Sequence, residues 1–304
     1  MTHAESELNS QPECWIRAAE QATVHGAVLP APGERVAIVG CGTSYLMAQA
    51  AAALREGSGQ GETDAFAASE FPDTRSYDRV VALTRSGTTT EVLELLDSLN
   101  GRTRTTAITA DPHTPVVDRA DDVVVLDFAD ERSVVQTRFA TTALTLLRAH
   151  LGLHTDAVVA DARTALEIPL PEGLVDCAQF TFLGRGWTVG LAGEAALKIR
   201  EAALAWAEAH PAMEYRHGPI SVTTRGTATW MLGEAPEGLA EQVRATGGLW
   251  VAGRLDPLAE LVRAQRLAVT VAEARGLDPD RPRHLTRSVI LARSSHRVGS
   301  TTHR

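Results

Sequence analysis

The chain has 304 residues with 29 Lys and Arg against 38 Asp and Glu, a net charge of −9. Hydrophobic residues at 44% and charged residues at 22% exclude a disordered or collagen-like chain. The acidic balance argues against nucleic acid or an anionic membrane as partner, since both reward basic patches, but leaves a phosphorylated small molecule open. At roughly 150 residues per domain the length suits one large domain or two small ones. No apolar run approaches the ~18 residues that span a bilayer, and Met1–Gln11 lacks a signal-peptide pattern, so a soluble, cytoplasmic protein is expected. Cys14, Cys41 and Cys177 are odd in number and scattered. Neither a disulfide framework nor a zinc site is expected, and nothing calls for another metal or a cofactor.

Residues 1–34 read as a polar lead-in with one amphipathic helix over Glu13–Val28. Arg35–Val39 is a short apolar strand, followed by Gly40-Cys41-Gly42-Thr43-Ser44 and an Ala-rich helix over Tyr45–Leu54. A second strand at Arg79–Thr84 leads through a Gly-containing turn to a helix over Glu91–Leu99, and Thr103–Thr109 and Val123–Leu126 supply two more strands. Helical pattern then covers Val134–Leu151 and Ala157–Leu166. Gln179–Leu183 is again a strand, Gly184-Arg185-Gly186 a turn, and Leu191–Ala209 a long helix, with later strands at Ala228–Leu232 and Gly248–Ala252. Strands alternating with helices at this spacing predict parallel sheets covered on both faces, an α/β fold. Val36–Leu54 and Phe180–Leu197 each read strand, Gly-x-Gly, helix, which points to an internal duplication. The expected units are a lead-in over 1–34, a first subdomain over 35–155, a second over 156–291 and a tail over 292–304.

The chemistry-bearing residues cluster at the strand-to-helix turns. In the first loop the glycines let a ligand approach the backbone, and Thr43 and Ser44 add hydroxyl donors at a helix N-terminus. It has neither the Lys of a phosphate-binding Walker loop nor the third glycine of a dinucleotide fingerprint. The second loop, Thr84-Arg85-Ser86-Gly87-Thr88-Thr89-Thr90, holds five hydroxyls and a guanidinium. Thr88 and Glu91 suffice for a capping box, so the other hydroxyls are surplus to capping and suit a phosphate monoester. Glu194, Lys198 and Glu201 follow i, i+4, i+7 spacing on one face of a helix otherwise rich in Ala and Leu. Such a face is ordinarily a solvated charge stripe; on a buried helix it is a tuned base beside a lysine. His217, in Glu214-Tyr215-Arg216-His217-Gly218-Pro219, says little alone in a chain with ten histidines.

Together these strings, with Phe182-Leu183-Gly184-Arg185-Gly186 and Asp278-Pro279-Asp280-Arg281-Pro282-Arg283-His284-Leu285-Thr286-Arg287-Ser288-Val289, resemble the SIS (sugar isomerase) family. The pattern is similar to the isomerase half of glucosamine-6-phosphate synthase, in the same order from about residue 11 to 290. The resemblance implies two flavodoxin-like subdomains, each with a five-stranded parallel sheet. It implies that Thr43, Ser44, Thr84, Ser86 and Thr89 hold a sugar phosphate, with Arg85 and Arg287 among the substrate-binding residues. Glu201 falls on the base that moves a proton between C1 and C2, Lys198 on the lysine of the same helix, and His217 on the histidine that assists ring opening. In the family that histidine comes from a neighbouring subunit, so a homodimer is implied.

Departures from the pattern narrow the expectation. No glutaminase segment precedes the first strand here, so glucosamine-6-phosphate synthesis is not expected. Arg85 stands for Gln and Thr88 for Glu, and Val135-Gln136-Thr137-Arg138-Phe139-Ala140-Thr141 matches the Ser-Thr-Lys segment only loosely. Arg287 replaces the tail lysine that forms an imine with a ketose; an arginine stays protonated and forms none. The expected activity is C2 proton abstraction from an amino-sugar 6-phosphate, with loss of water from N-acetylglucosamine 6-phosphate. Isomerisation or deamination of glucosamine 6-phosphate is the alternative. A non-catalytic sugar-phosphate sensor is the rival class, but the lead-in is too short for a helix-turn-helix domain, and a sensor needs neither Glu201 nor His217.

Overall fold

The computed structural model describes residues 2–154 and 156–292; of the expected tail, 293–304 lie outside the described residues. Two parallel sheets carry the fold. The first contains β1 (Val36–Gly40), β2 (Thr63–Ala67), β3 (Arg79–Leu83), β4 (Arg104–Thr109) and β5 (Asp122–Val125), in the order β2-β1-β3-β4-β5. β1 and β3 are buried along their whole length, as expected of apolar runs covered by helices on both faces. The second sheet contains β6 (Gln179–Gly184), β7 (Trp206–Pro211), β8 (Thr227–Met231) and β9 (Leu249–Ala252), in the order β7-β6-β8-β9. Its strand order repeats that of the first four strands, which is the internal duplication. Among the described residues it has four strands and not the expected five.

Two strands escaped the sequence pattern, and both are edge strands beside the first strand of their sheet. β2, Thr-Asp-Ala-Phe-Ala, is mostly half-buried and has no apolar run to announce it. β7 has no β-branched residue, and its Ala-Glu-Ala core reads as helix. The long helix expected to reach Ala209 is α7 (Thr188–Ala203), which stops where Leu204 enters the left-handed region at φ 49°. The lead-in also differs from expectation. It forms two helices, α1 (His3–Asn9) and α2 (Gln11–Val24), instead of one over Glu13–Val28. α1 has a complete capping box from Thr2 and Glu5, and Asp280 of the C-terminal segment accepts from His3 N–H at 2.8 Å and Ala4 N–H at 2.7 Å.

The remaining helices are α3 (Thr43–Gly57), α4 (Thr90–Leu99), α5 (Arg138–His150), α6 (Asp156–Glu167), α8 (Leu239–Ala245) and α9 (Pro257–Ala274). α3 and α7, the first helix of each repeat, pack on one another. Gly190 permits the close crossing: a Cβ there would sit 2.5 Å from the Leu46 carbonyl oxygen and 2.8 Å from the Ala50 nitrogen, both backbone atoms. No helix of the described residues is long and apolar enough to cross a membrane.

Candidate active site

In the first sheet, β2 lies on one side of β1 and β3 on the other, so the chain reverses direction across the sheet between β1 and β3. Ligands of open α/β sheets bind outside the carboxyl ends of the strands at such a point. A cavity of about 230 Å³ lies there. Thr43 and Ser44 line it from the β1–α3 turn, and Thr84, Arg85, Ser86 and Thr89 from the β3–α4 turn. Neither α3 nor α4 has a side-chain cap, so both helix N-termini offer their positive end to the cavity. The capping box expected from Thr88 and Glu91 is not formed: Thr89 is the N-cap of α4, and the Thr88 hydroxyl is spent on Ser86 Oγ at 3.1 Å and Ser288 Oγ at 2.9 Å. Gly87 at φ 61° makes the turn, and a Cβ there would lie 2.0 Å from Thr114 Oγ1. The Thr84 hydroxyl is buried and has no hydrogen-bond partner among the described residues.

Glu201 reaches the same cavity from α7, in the second repeat, with its side chain 19% exposed. Behind it stands Lys198, fully buried, whose ammonium donates to Glu201 Oε2 and, at 2.9 Å, to Thr43 Oγ1. Glu194 lies below, 3.5 Å from Lys198 Nζ, fully buried, with no hydrogen-bond partner for either oxygen among the described residues. The spacing therefore marks a buried charge column and not a solvated stripe. Burial pushes the Glu194 carboxyl up to about 8 against the pull of Lys198. Burial alone would lower Lys198, but Glu194 and Glu201 outweigh it and hold the ammonium above its ordinary range. The arrangement is a Glu194 whose protonated form burial favours, a buried Lys198 ammonium, and an accessible Glu201 side chain aimed by the lysine. Cys41 also lines the cavity; burial, with Glu91 nearby, raises its thiol pKa and disfavours the thiolate.

Both expected arginines are engaged with protein. Arg85 is 3% exposed and donates to the carbonyls of Ser133 and Arg287, each at 3.0 Å. The Arg287 guanidinium pairs with Asp130 and donates to the Glu131 carbonyl. Arg287 lines the cavity with its neighbours Leu285 to Val289, which cross it as a strap. The strap is tied to α4, where Thr90 N–H donates to the Val289 carbonyl at 3.2 Å. Of the expected residues, Lys198 stays buried behind the cavity wall, and His217 is away from the cavity: it is exposed, on a 3-10 turn after β7. Sequence reading did not single out the lining residues Val134 and Gln136 or the strap's backbone. The loose match over Val135–Thr141 was the available signal for Gln136; Val134 lies one residue before it.

Comparison with known proteins agrees with this fold. Residues 31–151 match the SIS domain family. The chain is homologous to glutamine–fructose-6-phosphate aminotransferases (isomerizing). It is 28% identical to that of Methanothermobacter thermautotrophicus over 85% of this chain and 52% of the relative, and 28% identical to that of Vibrio cholerae over 90% and 54%. The chain thus spans about half the length of the curated relatives it matches. Among solved structures it is similar to glucosamine-6-phosphate deaminase from Thermotoga maritima, with a TM-score of 0.81 and 25% identity over 95% of this chain and all of the other. It shares its fold with tagatose-6-phosphate ketose/aldose isomerase from Escherichia coli, with a TM-score of 0.79 and 18% identity over 96% and 97%. The expected fold class, tandem flavodoxin-like subdomains, stands.

Proposed function

We propose that this SIS chain is an enzyme that removes the C2 proton of an amino-sugar 6-phosphate held in the β1/β3 cavity. The observation that carries the reading is the meeting of two repeats. The first supplies hydroxyls and two uncapped helix N-termini, and the second supplies a carboxylate aimed by a buried lysine. Ser44, Thr84, Ser86 and Thr89 take the phosphate, as donors at a helix N-terminus do. Thr43 is held by Lys198 and sets the distance between phosphate and base. Arg85 and Arg287 act on the substrate through the strap that they fasten.

Glu201 accepts the C2 proton of the open-chain aldose, leaving an enolate. Lys198, held as an ammonium by the carboxyls around it, orients Glu201 and places a positive charge beside the developing oxyanion. With a free amine at C2, protonation at C1 leads to a ketose imine and so to isomerisation or deamination, the activities named for the structural relatives. With an N-acetyl group the nitrogen lone pair is tied up in the amide. The enolate then expels the C3 hydroxyl, which leaves as water once protonated. No histidine lines the cavity among the described residues, and His217 is exposed. His217 is therefore proposed to enter the cavity of a second copy, making a homodimer the working unit.

The test is incubation with N-acetylglucosamine 6-phosphate and glucosamine 6-phosphate, followed by mass spectrometry. Loss of one water from the N-acetyl sugar supports the elimination branch. Release of ammonia or formation of a ketose from the amine alone favours the isomerase/deaminase branch. Turnover of both sugars at the wild-type rate by Glu201→Gln would remove the base assignment.

A further inference from the structure

Besides the Thr84 hydroxyl assigned above to the phosphate, a second polar group on the cavity wall has no partner among the described residues. Gln136 lines the cavity, and its Oε1 is buried without a hydrogen-bond partner among the described residues. A buried carbonyl without a donor is costly, so native proteins seldom leave one unless a ligand or water completes it. The chain on either side of Gln136 is fixed. On one side the Glu131 carboxylate accepts from the backbone N–H of Thr137 at 2.6 Å and of Arg138 at 2.9 Å. On the other, the Ser133 carbonyl accepts from Arg85 at 3.0 Å, and Val134 N–H donates to the Asp280 carbonyl at 3.2 Å. The amide is presented by a braced segment, which lowers the ordering cost of binding to it.

We propose that Gln136 is the specificity residue of the site: its carboxamide accepts from a neutral donor on the sugar, an amide N–H or a hydroxyl, and disfavours an ammonium. The inference rests on the proposed sugar-phosphate reading and deepens it. An ammonium in this cavity needs a carboxylate partner, and the lining carboxylate Glu201 is already paired with Lys198. Gln136 offers a dipole and no charge. An N-acetylated amino sugar presents a neutral N–H, whereas the free amine presents a cation at neutral pH and leaves that charge uncompensated.

Calorimetric titration of the full chain with inorganic phosphate, N-acetylglucosamine 6-phosphate and glucosamine 6-phosphate tests it. Gln136→Leu is expected to weaken the N-acetyl sugar phosphate about tenfold while leaving inorganic phosphate unchanged, as for one lost hydrogen bond away from the phosphate. Gln136→Glu is expected to reverse the preference, weakening the N-acetyl compound and tightening the free amine. Equal weakening of phosphate and sugar phosphate in both variants would make Gln136 a structural residue and overturn the inference. Unchanged affinities in both variants would overturn it too. A wild-type chain that binds neither phosphate nor sugar phosphate would overturn the underlying reading and this inference with it.

Discussion

Lys198 on α7 donates to Thr43 on α3 across 2.9 Å, and through that bond the helix that carries Glu201 in one repeat is keyed to the β1–α3 turn of the other. The contact is buried and present in the ligand-free fold. Neither repeat holds the whole constellation: the hydroxyls come from the turns after β1 and β3, and Lys198 and Glu201 from the helix after β6. The duplication brings the first helices of both repeats together beside one cavity.

The crossing of those helices should tolerate no side chain at Gly190. A Cβ would meet the backbone of Leu46 and Ala50, which cannot rotate away. Gly190→Ala is expected to cost about 1–3 kcal/mol or more in urea denaturation and to lower kcat by pushing Lys198 off Thr43. Gly57→Ala, in α3 with nothing near its added Cβ, is the control and should be neutral or stabilising by up to about 1 kcal/mol. Equal effects of the two substitutions would deny the close approach any special role.

Glu194 should leave a signature in the pH dependence of stability. Its carboxyl titrates at about 8 in the folded chain, chiefly through burial, against 4.5 when unperturbed. Between those values the folded state holds the extra proton. Its contribution is therefore complete below about pH 4.5 and is lost as pH rises through about 8. Glu194→Gln cannot ionise, so its melting temperature should gain on that of the unsubstituted chain as pH rises from about 5 to 8. Scans that stay parallel across that window would show Glu194 ionised in the fold. Other raised carboxyls, such as Glu7 and Glu260, are common to both proteins and cancel in the difference.

The parts of the fold legible in the sequence were those where pattern and burial coincide. β1 and β3 are almost continuous apolar runs and β6 alternates Phe with Thr before Leu183, each leading to a glycine-containing turn, and the loops after β1 and β3 stood out by a surplus of hydroxyls. β2 and β7 lie at sheet edges, half-buried, where alternation is weak and Ala or Glu costs little. The end of α7 depends on a single left-handed Leu204, a conformation no composition rule assigns to leucine. In the site, residue type pointed to the cavity for the hydroxyls, Glu201 and Arg85, but did not announce the contacts that Arg85 makes with the protein. An arginine among phosphate donors reads as a ligand group. Its burial against the Ser133 and Arg287 carbonyls, contacts 48 and 202 residues apart in sequence, is a tertiary fact.

Arg85 should thus behave as a brace. Its guanidinium lies 3.8 Å from the buried Glu131 carboxylate and joins the 131–138 segment to the strap. Removing one partner of a buried pair costs about 3–5 kcal/mol, and Glu131 keeps three backbone donors from the start of α5, so Arg85→Met should cost about 3 kcal/mol. Faster amide exchange at Thr286–Val289 should accompany the loss. A variant of unchanged stability and exchange whose only defect is phosphate affinity would return Arg85 to the ligand shell.

Thr84 offers the sharpest separation of stability from binding. Its hydroxyl is buried at the cavity wall with no partner among the described residues, and an unsatisfied buried hydroxyl costs about 1–3 kcal/mol. Valine has nearly the same shape and no hydroxyl. Thr84→Val should therefore stabilise the ligand-free chain, by about 1 kcal/mol in urea denaturation. If the hydroxyl is kept for a phosphate oxygen, the same substitution should weaken sugar-phosphate binding by about 1.5–3 kcal/mol, roughly tenfold to a hundredfold. The two measurements must move in opposite directions. A variant that is less stable and binds equally well would place the hydroxyl in the packing of the sheet and remove Thr84 from the phosphate site.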